Sequence, residues 1–201
     1  MAVPPLDKIL GFVDLINQFR SVERVVLIKD SDRNENDVEH SYSLAMLAWY
    51  INNLSKLNLN TDKLLKYALV HDLVEVYAGD TFLYHKDADF VRSKQKREGE
   101  AAHKLKKEYS NFSELHKTIE QYEKREDEES RFIYALDKIA PMLNIYMDKG
   151  RTWKETEVTL EMLKAAKTSK VALSPVIEKI FKKLIERLTE EHDELFGKNK
   201  K

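Results

Sequence analysis

Cysteine is missing from all 201 residues, which removes disulfides, thiolate metal ligands and cysteine nucleophiles together. Any metal site must therefore use His, Asp, Glu and water. Glycine (5) and proline (4) are scarce, so few positions punctuate the backbone. No run approaches the ~18 apolar residues expected of a membrane span. The start, "MAVPPLDKILGFV", lacks the basic segment and long apolar core of a signal peptide. An excess of one charge is missing too: Lys plus Arg (34) nearly balances Asp plus Glu (35), for a net charge of -1. That balance offers no whole-protein attraction for nucleic acid or an acidic membrane. The default expectation is a soluble, cytoplasmic protein.

What remains is helical. Apolar residues recur at helical rather than alternating spacing, and an all-α fold of roughly eight helices with no strand is expected. The first covers about 5–20, with Leu6, Ile9, Leu10, Val13, Ile16 and Asn17 near one face. After the polar loop "KDSDRNEND", Asp37 is placed to cap a helix of about 38–56. Thr61 caps the next, about 62–77, and others follow near 92–108, 113–125 and 128–148. Thr152 and Glu155 form a capping box before a helix of about 153–167. Ser174 and Pro175 open the last, about 175–195. "QYEKREDEESR" (121–131) reads as a solvated junction and "GKNKK" as a frayed tail. With no repeat or linker, residues 1–201 read as one domain.

Polar residues interrupt the apolar stripes in three places. In "ALVHDLVEVYAGDT", His71, Asp72 and Glu75 continue the stripe of Leu64 and Ala68. His40 shares a face with Leu44, Leu47 and Ile51, and Asp137 lies between Ile133 and Ala140. Pro141 removes the donor that the Asp137 carbonyl would receive, and a kink is expected there. Burying such groups unpaired is costly. Hydrogen-bonded core residues would explain any one of them. Together, two imidazoles and two carboxylates form an N2O2 set for one divalent cation.

The ordered pattern His40…His71-Asp72…Asp137, with "VEHSYSLAMLA", "ALVHDLVEVYAGDT" and "ALDKIAPML", resembles the HD-domain metal-dependent phosphohydrolases and their small 5′-deoxynucleotidase branch. The likeness spans roughly residues 9–150. It implies an all-helical HD domain around a metal site, with the helices of about 153–195 completing the core or making a dimer contact. It also implies metal ligation by His40, His71, Asp72 and Asp137. Glu75 would orient or deprotonate the attacking water. Asp80 would contact the substrate sugar or assist proton transfer.

For the phosphate, the resemblance points to Arg20 first and Arg24 second, although the branch's Arg-Trp pair is missing. Lys138 would bind phosphate or pair with its neighbour Asp137. His85, His103, His116 and His192 lack a close paired spacing, so one metal per chain is expected. Mn, Co, Fe, Ni, Zn and Cu all suit the ligand set. The implied activity is 5′-phosphomonoester hydrolysis on (deoxy)nucleoside monophosphates by a homodimer. Alternatives are another HD substrate (a dNTP, cyclic dinucleotide or alarmone), a non-catalytic nucleotide-binding module, and, last, an HD-fold oxygenase.

Overall fold

The computed structural model describes residues 3–197; of the tail read as frayed, residues 198–201 lie outside the described residues. Helix α1 (Leu6–Arg20) leads into a two-stranded antiparallel ribbon, β1 (Glu23–Leu27) and β2 (Asn34–Asn36). This ribbon corrects the expectation of no strand. Val25 and Val26 favour extended backbone, and the connecting turn carries Asp30 at φ 59. Three-residue β2, "NEN", is too short to leave an alternation in the sequence.

Helix α2 (Asp37–Leu54) starts beside the ribbon. Its cap is Asn36 rather than Asp37: Asn36 and Glu39 exchange backbone and side-chain bonds in a capping box. Asp37 is thereby freed to turn inward, where it is fully buried. Helix α3 (Thr61–Val70) is capped by Asn60, one residue before the expected Thr61. It stops well short of residue 77. The Ala68 carbonyl accepts a bond from His71 Nδ1, and the chain tightens through Leu73 N to Val70 O and Glu75 N to Asp72 O. Such i-to-i−3 bonds make a narrower turn. A short helix, α4 (Glu75–Ala78), resumes beyond it.

Helices α5 (Ala88–Arg92), α6 (Lys94–Glu108) and α7 (Ser113–Lys124) wrap one side. Helix α8 (Glu128–Met147) crosses the centre with Pro141 inside it. The expected helix of 153–167 is instead two, α9 (Arg151–Thr156) and α10 (Leu160–Val171), split where Glu157 takes φ 56. Thr152 is not a cap: its Oγ1 accepts from Leu27 N, and Thr159 caps α10. Beyond α11 (Pro175–Glu190), a break at Glu191 starts α12 (His192–Phe196).

The principal core joins Leu44 of α2, Leu64 of α3 and Leu136 of α8 with Leu163, Ile177 and Leu188 of α10 and α11. Truncating such a fully buried Leu to Ala costs ~2–5 kcal/mol. A second cluster, including Leu15, Phe19 and Leu105, fixes α1 and α6 against Val70 and Leu73. The turn holding His71 and Asp72 is therefore clamped from both sides.

Candidate metal centre

Three helices deliver the four residues of the N2O2 set to one point. His40 comes from the first turn of α2, His71 and Asp72 from the tightened turn after α3, and Asp137 from the middle of α8. One ligand atom from each lies within 4.8 Å of all the others. His40 Nε2 is 3.0 Å from Asp137 Oδ1, and His71 Nε2 is 3.0 Å from Asp72 Oδ2 and 3.8 Å from Asp137 Oδ1. His40, His71 and Asp137 are buried.

The donor chemistry fits a cation. The bond from His71 Nδ1 to Ala68 O places the proton on Nδ1, because a carbonyl can only accept. That leaves the Nε2 lone pair facing the Asp72 carboxylate, and buried Nε2 has no hydrogen-bond partner among the described residues. Two acceptors 3.0 Å apart need a positive charge between them. On the far side, His40 Nδ1 lies 3.5 Å from Glu35 Oε2, the carboxylate placement that orients a ligating imidazole.

Around this point six carboxylates (Glu35, Asp37, Asp72, Glu75, Asp80 and Asp137) meet three bases, Arg24, Lys94 and Lys138. Arg24 Nη1 is 2.9 Å from both Asp37 and Asp72, and 3.8 Å from Asp80. Lys94 Nζ is 3.0 Å from Glu75 Oε1, and Lys138 bonds Asp137. The excess acid is visible in the titration of the group. Burial pushes Glu75 up to about 10 and Asp37 up to about 7, with the Asp72 charge adding to each. Burial opposes charge on His40, yet Asp137 and Glu35 overcome it and raise the imidazole to about 9. Burial likewise opposes charge on Asp137; Lys138 with His40 overcomes it, and that carboxylate is held low. A divalent cation is the economical remedy for such a cluster, and the His/Asp set is the kind that holds one.

The remaining expected residues separate clearly. Glu75 is buried and Asp80 half-buried, and with Asp37 they form a second close group, each offering an oxygen within 4.8 Å of the others. Both Glu75 and Asp80 line a cavity of about 350 Å³ that also exposes His71, Asp72 and Asp137. Arg24 and Lys138 line it too, but each is tied to the carboxylates just described. Arg20 lies exposed at the end of α1 and is not part of the cavity wall. His85 and His103 are exposed; His116 bonds the Tyr109 carbonyl, and His192 lies against Phe196. None of these four joins the cluster.

Glu35, Asp37 and Lys94 were not identified from sequence. Glu35 is hidden in a polar loop, Asp37 had the look of a cap, and Lys94 is one of many lysines in a charged helix. The cavity is also lined by Phe82, Tyr84, Tyr134, Met142 and Trp153, apolar and aromatic surface suited to a flat ring.

Comparison with known proteins agrees with this geometry. A family model described as HD domain matches residues 16–196. The 5′-deoxynucleotidase HDDC2 of Mus musculus is 29% identical over 140 residues, covering 67% of this chain and 67% of its own. The Homo sapiens protein of that name is 29% identical over 140 residues, covering 67% of this chain and 65% of its own, so the chain spans about two thirds of these relatives' length. Among solved structures, a predicted metal-dependent phosphohydrolase from Magnetospirillum magnetotacticum MS-1 superposes with a TM-score of 0.78 at 28% identity, covering 93% of this chain and 96% of that one.

Proposed function

The chain belongs to the HD-domain family, and from that premise we propose that it is a metal-dependent phosphohydrolase removing the 5′-phosphate of (deoxy)nucleoside monophosphates. The observation that carries the reading is the His40–His71–Asp72–Asp137 set, one ligand atom of each within 4.8 Å of the rest, three of whose members, His71, Asp72 and Asp137, line a nucleotide-sized cavity. These four residues would hold a divalent transition metal. When bound, the ion supplies Lewis acidity toward a phosphoryl oxygen and toward water.

The other roles fall to this chain's own groups. A cation in the four-residue set would offset the Asp72 charge that helps raise Glu75, and with Lys94 at 3.0 Å the ionised Glu75 would orient the attacking water and accept its proton. Arg24 and Lys138 stabilise the ionised forms of Asp72 and Asp137, which leaves them poorly free to bind phosphate. Asp80, at the cavity wall, contacts the sugar or assists protonation of its 5′-oxygen. The aromatic wall receives the base.

The test is phosphate release from 5′-deoxynucleotides, 5′-ribonucleotides and 3′-nucleotides by metal-stripped protein resupplied with single divalent ions. Metal-dependent release confined to 5′-monophosphates is expected. Silence across the panel with metal bound would overturn the reading in favour of a binding role.

The same reading makes the protein a cytoplasmic homodimer of one-domain subunits. The dimer is supported by apolar side chains left exposed on α1 (Leu6, Leu10, Val13) and α2 (Tyr42, Trp49, Tyr50), rather than by the last helices, whose Ile177 and Leu188 enter the core. Sedimentation velocity tests the dimer, limited proteolysis the single domain and cell fractionation the location. Among the described residues no helix is long and apolar enough to cross a membrane.

A further inference from the structure

Two cavity-lining residues, Lys167 and Lys170 of α10, stand apart from the bases already assigned. Among the described residues, the other bases lining the cavity are engaged: Arg24 with Asp37 and Asp72, Lys94 with Glu75 and Glu98, Lys138 with Asp137. Arg125 pairs with Glu123 and lies over the Tyr134 ring. Lys167 and Lys170 have neither an ion pair nor a side-chain hydrogen bond among the described residues, though both are only half-exposed. They lie three positions apart, and so on one side of the helix.

Holding two unpaired ammonium groups at a cavity wall is unfavourable. Burial, reinforced by the Lys138 charge, lowers Lys167 to about 8, and the same causes lower Lys170. An anion entering the cavity would relieve both. The buried face of α10, through Leu160, Leu163 and Val171, fixes the helix without help from the lysines. Their placement is therefore independent of any ion pair within the chain.

The number of free charges indicates which anion. A terminal phosphate monoester carries about −1.5 to −2 at pH 7, whereas a diester carries a single charge. We propose that Lys167 and Lys170 grip the terminal phosphate of the substrate and select monoesters over diesters. The proposal rests on the phosphohydrolase reading for its substrate. The anion site itself can be tested without turnover. Lysine acts here as a point charge rather than a planar fork, so Arg at 167 should restore much of what Met removes.

The experiment measures calorimetric binding of inorganic phosphate to metal-loaded wild type, Lys167→Met, Lys170→Met and Lys167→Arg. Lys182→Met, which alters an exposed lysine paired with Glu178 on α11, controls for loss of charge. Each cavity lysine should weaken phosphate binding about tenfold or more, the scale of a hydrogen bond to a charged group, with partial rescue by Arg and unchanged thermal unfolding. For turnover, KM for a nucleoside 5′-monophosphate should rise in parallel, and by a larger factor than KM for bis(p-nitrophenyl) phosphate, a diester. Phosphate affinity equal in wild type and Lys167→Met would overturn the proposal even if 5′-nucleotidase activity were present. Affinity lost in the variants would sustain it even if every nucleotide tested proved inert.

Discussion

Around the His/Asp set, Arg24, Lys94 and Lys138 are each matched to carboxylate, and acid is still in excess; on the α10 wall Lys167 and Lys170 line the same cavity with no ion pair among the described residues. The two walls carry unbalanced charge of opposite sign. The first has excess acid, with the His71 Nε2 lone pair opposite Asp72 at 3.0 Å. The second has unpaired positive charge. A divalent ion and a phosphate monoester together satisfy both, which a purely structural ion-pair network would not require. Structural networks tend toward local neutrality, because an unpaired charge carries a desolvation cost of several kcal/mol.

Substitutions on the acid wall should divide by distance from the chemistry. Glu75→Gln keeps the shape and removes the proton acceptor. It is expected to lower kcat about 10²–10⁴-fold with metal content unchanged by elemental analysis. Loss of metal along with turnover would make Glu75 a ligand instead and redraw that wall. Glu35→Gln comes next: it removes a carboxylate charge 3.5 Å from His40 Nδ1 but no ligand. Metal affinity should fall about 10–100-fold, with turnover recovered at saturating metal. Unchanged affinity would reduce Glu35 to a partner of Arg24.

The smallest effect calibrates the comparison away from the cavity. Asp127 caps α8 through Ser130 N and accepts from Tyr67 and Lys63. Against the cost of its partial burial, these donors hold it down at about 2, below the ordinary 3.8. A depressed carboxylate stabilises the fold above its ordinary pKa, and that contribution fades as pH falls through the folded value. Wild type should therefore exceed Asp127→Asn by about 1 kcal/mol near pH 5, with the gap in unfolding temperature closing toward pH 2. A gap constant across that window would assign the stabilisation to packing rather than charge.

The legibility of the sequence follows the same physical divide. His40, His71, Asp72 and Asp137 stood out because each interrupts an apolar helical stripe, where a polar residue needs a reason. The main helices were legible for the same cause, since their apolar spacing is long and regular. Glu35 left no such trace: the strand that buries it has three residues. The end of α3 was obscured because the His71 side chain takes up the Ala68 carbonyl, and nothing local in "ALVHDLVEV" signals that competition. Lys167 and Lys170 share α10 with Lys164, and spacing alone does not tell a lysine facing a cavity from one facing water. Arg20 was favoured from the resemblance, yet the ribbon after α1 carries Arg24, not Arg20, to the carboxylates.

The central claim is that the four-residue set holds an ion on which phosphate release depends. Its most direct measurement is metal content and turnover of wild type and His71→Ala, each stripped and given one divalent ion at a time. About one ion per chain and metal-dependent release of phosphate from a 5′-monophosphate are expected in wild type, with both lost in His71→Ala. Full metal content and undiminished turnover in His71→Ala would contradict it.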